Sequence, residues 1–261
     1  MDFITNETIR YCYDFAVYAW ENSSQSKKQY GTEEIRARNE FVADQLTDKL
    51  AECLFKAIIE EHYSNIQVQL DFSHYTDPLH TDNGDVNMYI DRNLLPVRID
   101  IKGSSHRAQW LLVEEHKFKD LKTGAPMADC YIMVRFSENM PVSRILRNNP
   151  ERILSIPAIS GEITGWAYHH DFFSSKDNQE WFVYNKGDRP LKRKVLPYAS
   201  NRVNDLNHLH NYINKRIRTQ GFTEADIYLS VPLDAKKNMG LPINWLKTDL
   251  NVLFHQAPSR V

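Results

Sequence analysis

Two aspartates and a lysine are the residues of this sequence best placed to do chemistry. Asp100 and Lys102 stand two apart in Arg98-Ile99-Asp100-Ile101-Lys102, and Asp85 precedes them in Gly84-Asp85-Val86-Asn87-Met88. In a strand alternate residues share a face, so Val97, Ile99 and Ile101 would pack while Arg98, Asp100 and Lys102 face the other way. Carboxylates on adjacent strands are hard oxygen ligands suited to Mg²⁺, with water completing the shell. A lysine one pleat along can position an attacking water and offset charge that develops on a phosphate. Together these groups have the chemistry of phosphodiester hydrolysis.

Such a site needs strands to hold it and helices to bury them. Ile9, Tyr13, Ala16, Val17 and Trp20 fall at helical spacing, the polar run 22–29 reads as a loop, and Thr32 can cap a second helix carrying Phe41, Val42, Leu46, Leu50, Cys53, Leu54, Ala57 and Ile58 on one face. The period then changes to two at Ile66, Val68 and Leu70, at Val86, Met88 and Ile90, and at Val97, Ile99 and Ile101. Further strands are expected at 110–113, 131–136, 163–167 and 181–184, and a helix over 201–218. Helices, then a sheet, then a helix-containing tail define a mixed α/β fold.

The strand pair resembles the PD-(D/E)xK nuclease superfamily, whose members place an acidic residue near one strand and D/E-x-K on the next. Here those pieces are Asp85 and Asp100-Ile101-Lys102, followed by Gly103-Ser104, Trp110-Leu-Leu-Val, Ala128-Asp-Cys-Tyr-Ile-Met-Val and Gly165-Trp-Ala. The resemblance spans about residues 33–173 and is to restriction-type and phage nucleases. It implies a restriction-endonuclease-like mixed central sheet flanked by helices, as a nuclease core over 1–175, and a metal site of Asp85, Asp100 and Ile101 holding Mg²⁺, for which Mn²⁺ can substitute. It implies a helix-borne glutamate near the metal, for which Glu40 is the candidate, with Glu33, Glu34 and Asp44 as other acids on that stretch. It also implies a DNA substrate, a homodimer as one form of the enzyme, and a bacterial cytoplasm, phage-infected cells included. One departure stands out, because Gly84 occupies the position where the motif has proline.

A second frame shares Asp100 and continues to Glu115-His116-Lys117. It would make 110–113 the catalytic strand and Glu114 or Glu115 the ligand, with Glu115 and Lys117 on one face, although five charged or polar residues in a row read better as a strand running out into solvent. Glu115 stays a candidate third carboxylate. Taken alone, Arg98, Asp100 and Lys102 could also be a solvated strand face with cross-strand ion pairs.

Composition narrows the alternatives. The chain of 261 residues is 42% hydrophobic and 25% charged with a formal charge of -2, which describes a globular protein and excludes a uniformly basic nucleic-acid coat. Residues 186–218 are the exception, with nine Lys or Arg against Asp188 and Asp205. Lys192, Arg193, Lys194 and Arg202 there suit phosphate contacts, and 176–261 is read as a nucleic-acid-recognition extension, although a solvated surface would look alike. Cys12, Cys53 and Cys130 suit neither a disulfide framework nor a thiolate zinc site, which points to a reducing, intracellular setting. No leader is expected and no apolar run approaches the roughly 18 residues of a membrane span. His169-His170 would diverge on a strand and His208 and His210 on a helix, so zinc is not expected. Walker A, G-x-G-x-x-G and G-x-S-x-G motifs are missing. Three functions follow: a Mg²⁺-dependent DNA endonuclease, a nuclease-like nucleic-acid binder without catalysis, and an RNA- or structure-specific phosphodiesterase.

Overall fold

The computed structural model describes residues 2–22, 37–72, 84–141, 143–196, 206–230, 232–233 and 236–255. In chain order the first elements are β1 (Phe3–Thr5), α1 (Asn6–Asn22), α2 (Arg38–His62), β2 (Ile66–Leu70), β3 (Val86–Ile90), β4 (Asn93–Leu94) and β5 (Ile99–Ser104). There follow β6 (Trp110–Glu114), α3 (Glu115–Phe118), β7 (Cys130–Phe136), α4 (Ser143–Asn148) and β8 (Ala158–Tyr168). The chain continues through β9 (Val183–Asn185), α5 (Leu206–Gln220), α6 (Glu224–Ile227), β10 (Lys237–Pro242) and α7 (Leu250–His255). Thr32, Glu33 and Glu34 lie outside the described residues.

Two compact units divide the chain, one made of residues 1–108, 128–166 and 248–261, the other of 109–127 and 167–247. A single cut after residue 175 does not reproduce that division. Residues 109–127, expected in the core, belong with the second unit, and 248–261, expected in the extension, belong with the first.

The first unit holds a mixed sheet in the order β1-β8-β7-β5-β3-β2, with β4 on β3. Strands β2 and β3 are antiparallel from Ile66↔Ile90 to Leu70↔Val86, and β3 meets β5 antiparallel at Val86↔Ile99. Beyond it, β5 runs parallel to β7, with Asp100 opposite Tyr131 and Lys102 opposite Met133. The period-two residues behave as their spacing requires: Val68, Val86, Met88, Ile99 and Ile101 are all buried.

Helix α2 supplies the largest share of the cover over this sheet. Phe41, Leu46, Leu50, Leu54 and Ile58 form a buried stripe, and the helix packs on β2 and β5. Its approach to β5 is set by Gly103, where an added Cβ would stand 3.0 Å from the Ala51 Cβ and 3.3 Å from the Thr47 carbonyl oxygen. Helix α1 buries Ile9, Cys12, Tyr13, Ala16 and Ala19, a stripe that leaves Val17 and Trp20 half-buried. Cys12, Cys53 and Cys130 are buried thiols that form no disulfide.

In the second unit β10 lies between β6 and β9 in an antiparallel sheet. Strands β6 and β9 carry the expected aromatic and aliphatic residues, whereas β10, Lys-Asn-Met-Gly-Leu-Pro, has no alternation to announce it. Its interior position depends on Gly240, whose Cβ would meet Trp110, Leu112 and Tyr184, each at 3.2 Å. His169 and His170 sit in a 3-10 turn rather than on a strand, with His169 stacked on Phe118 at 4.1 Å. Among the described residues no helix is long and apolar enough to cross a membrane.

Candidate active site

The three leading residues come together at the start of β3 and the middle of β5. Asp85 is fastened to β5 twice, since its backbone N–H donates to the Ile99 carbonyl at 2.8 Å and its Oδ2 accepts the Ile101 N–H at 2.6 Å. The carboxylate thereby takes the ladder position that β3 would fill had it begun earlier. The Asp85 N–H and the Val86↔Ile99 pairing both converge on Ile99, so Asp85 enters the sheet beside the residue that precedes Asp100.

The chain reaches this point through Gly84, at φ +107, where a Cβ would lie 2.8 Å from the Ile99 oxygen. Proline is locked near φ -65, so the motif's proline is incompatible with this backbone. Glycine here is a steric requirement of the strand entry.

Asp100 is only 8% exposed, and the Lys102 Nζ stands 2.6 Å from its Oδ1. That oxygen has no hydrogen bond of acceptable angle, so the contact is a Coulombic pairing made off the lone-pair direction. Opposite Asp100, burial and then the Asp100 charge push the Tyr131 hydroxyl pKa up, so this phenol stays neutral. Arg98 does not face the same task, because Asp129 accepts from its Nε, Nη2 and backbone N–H and raises the guanidinium pKa.

Outside the motif lies a second buried carboxylate. Glu52 on α2 is 2% exposed, and both its oxygens accept from the Lys49 ammonium, at 2.9 and 2.8 Å. Lys49 also donates to the Asp71 carbonyl at 2.7 Å and lies over the Phe15 and Phe72 rings. Burial raises the Glu52 pKa well above the usual range. Lys49 opposes that shift and the Asp85 charge adds to it, which places Glu52 within electrostatic reach of the site. Its signal in the sequence was a carboxylate inside the apolar stretch Ala51-Glu52-Cys53-Leu54.

Glu40 occupies a different part of α2. It pairs with Arg147 at 3.7 Å, beside the Asp44–Arg147 pair at 3.1 Å. Twelve residues of helix separate Glu40 from Glu52, about 18 Å along the axis. Glu115 belongs to the second unit, where its Oε1 accepts from Lys237 at 2.7 Å. The second frame fails on local structure, since Glu115 and Lys117 lie in α3, where residues two apart diverge.

The donor chemistry suits Mg²⁺. Asp85 and Asp100 offer only carboxylate oxygens, and Ile101 can contribute only its carbonyl. A strand residue directs its N–H and C=O to the same neighbour, so the Ile101 carbonyl faces the Asp85 edge. Among the described residues no three acidic, histidine or cysteine side chains converge on one metal position. A cation here would keep several waters, as Mg²⁺ commonly does.

In the basic segment, the Lys192 ammonium donates to the Ala225 carbonyl, and its N–H donates to the Ile227 carbonyl at 2.6 Å. Arg193 is exposed, with its N–H donating to Gln109 Oε1 at 2.9 Å. The Lys194 side chain and all of Arg202 lie outside the described residues. No protein-family model, curated protein or solved structure matches the chain.

Proposed function

We propose that the protein is a Mg²⁺-dependent endodeoxyribonuclease of the PD-(D/E)xK type, with a restriction-endonuclease-like core in the first unit. The observation that carries this reading is the anchoring of the Asp85 carboxylate on the N–H of Ile101, the residue between the paired Asp100 and Lys102. A buried helix-borne glutamate within reach of Asp85 adds to it, since enzymes of this type bring such a residue toward the metal.

Asp85, Asp100 and the Ile101 carbonyl hold the cation, which when bound supplies Lewis acidity and an ordered water. The Lys102 ammonium offsets the negative charge that develops on the phosphate during attack. Its pairing with Asp100 fixes that charge in place beforehand, so no reorganisation is needed when the phosphate reacts. Tyr131 and Met133, paired with Asp100 and Lys102 on β7 and both buried, cover the site from that side, where a dry neighbourhood keeps the charge interactions strong.

The test is incubation of the purified protein with supercoiled plasmid in Mg²⁺, in Mn²⁺ and with chelator. Nicking or linearisation in either metal, absent with chelator and absent in Asp85→Asn and Asp100→Asn, is the expected result. Full cleavage by either variant, or none by the parent protein on any duplex, overturns the reading.

A further inference from the structure

Helix α5 carries a surface that the site leaves unused. Leu209 and Ile213 are buried, which fixes the opposite face outward. Along that face run Asn207, Asn211, Asn214 and Arg218, flanked by Lys215, and all five are exposed. Their spacing of four, three and four residues keeps them in one line along the helix. From Leu206 to Gln220 the helix contains no acidic residue, in a chain whose formal charge is -2.

An outward stripe of cations ordinarily serves solubility, but then lysine and glutamate alternate. Three amides and a guanidinium in line, without a carboxylate, form a different set. Asparagine pairs bidentately with adenine, arginine with guanine, and a lysine to one side reaches a phosphate. Fifteen residues span about 22 Å, and the major groove of B-DNA, about 12 Å wide, admits one helix. Arg216 takes no place in the stripe, since its guanidinium bonds the Tyr212 hydroxyl at 3.1 Å and lies over that ring.

We propose that α5 is a recognition helix that lies in the major groove of duplex DNA, with Asn207, Asn211, Asn214 and Arg218 at base edges and Lys215 at a phosphate. This rests on the nuclease reading for its choice of partner. It makes the enzyme sequence-selective, and it assigns selection to the second unit and cleavage to the first.

The experiment selects bound sequences from a random duplex DNA pool with the parent protein in Ca²⁺, then measures affinity for the selected duplex by fluorescence anisotropy across a salt series. The double variant Asn211→Ala, Asn214→Ala should lose about tenfold or more of the preference for the selected duplex over a scrambled one, with the salt slope unchanged. Lys215→Ala should weaken both duplexes alike and make the slope shallower by about 0.9. Alanine at exposed helix positions favours the helix, so such losses cannot come from unfolding. Equal affinities for parent and variants, no selected sequence, or tighter α5-dependent binding to duplex RNA would each overturn the proposal. A protein that binds through α5 yet never cuts in Mg²⁺ refutes the nuclease reading alone. One that cuts while its α5 variants bind as the parent does refutes this inference alone.

Discussion

At the scale of single residues, the pairing of Asp100 with Lys102 gives the clearest forecast. Lys102 touches the carboxylate proposed to hold the metal, whereas Lys117 lies on a short helix of the other unit. Lys102→Ala should lower the plasmid cleavage rate by about a hundredfold or more, the loss typical of a group that stabilises transition-state charge, and Lys117→Ala by far less. Equal losses would remove Lys102 from the site. Glu52 makes a second, independent forecast through pH. Its folded pKa is raised by burial, so its contribution favours the folded state at low pH and is lost as pH rises through the folded pKa. Glu52→Gln lacks this titration. The stability of the parent relative to Glu52→Gln should therefore decline in urea melts as pH rises above the ordinary glutamate range, and a constant difference would mean that the carboxyl does not titrate with a raised pKa. The motif residues were legible because strand periodicity and residue type coincided at Asp100 and Lys102. Glu52 was not, since a glutamate in a helical stripe is normally solvated and only the tertiary burial of α2 shows otherwise.

At the scale of elements, the site depends on how β3 begins. Strands β2, β3, β5 and β7 were visible as alternating or continuous apolar runs, because each buries one or both faces. The left-handed entry at Gly84 was not, as one glycine says nothing of its own φ. Gly84→Ala puts a methyl 2.8 Å from the Ile99 oxygen on a backbone at φ +107. Strain of that kind costs about 1–3 kcal/mol, so the thermal midpoint should fall. Cleavage should fall further than stability accounts for, because Asp85 is the next residue and its carboxylate is placed by this turn. A variant that melts earlier but cuts at the parent rate would show that Asp85 is held by its Ile101 bond alone. Strand β10 escaped reading for the opposite reason. Its small and cyclic residues fit between aromatic neighbours that no local pattern reveals.

At the scale of the whole molecule, the two compact units interleave in the sequence, which no composition shift marked, because residues 109–127 reach the second unit before the chain returns to β7. The basic excess over 186–218 was legible, but which of its charges stay available was not. The segment is pinned at three points: the Trp110 Nε1 donates to the Leu191 carbonyl at 2.6 Å, Lys192 is bonded to Ile227 and Ala225, and Arg193 is bonded through its backbone to Gln109. Lys192 thus serves the fold of the second unit, while the exposed Arg193 side chain can meet a phosphate. Each phosphate contact contributes about 0.9 to the slope of log affinity against log salt on duplex DNA. Arg193→Ala should make that slope shallower by about one contact with the melting temperature unchanged. Lys192→Ala should leave the slope intact, because the Lys192 ammonium is taken up by the Ala225 carbonyl. Neither change should alter turnover at saturating DNA, since the lost interactions are made equally with bound substrate and transition state. A shallower slope from Lys192→Ala, or none from Arg193→Ala, would exchange the two roles, and an unchanged slope in both would take this segment out of the DNA interface while leaving the cluster around Asp100 to be judged by cleavage.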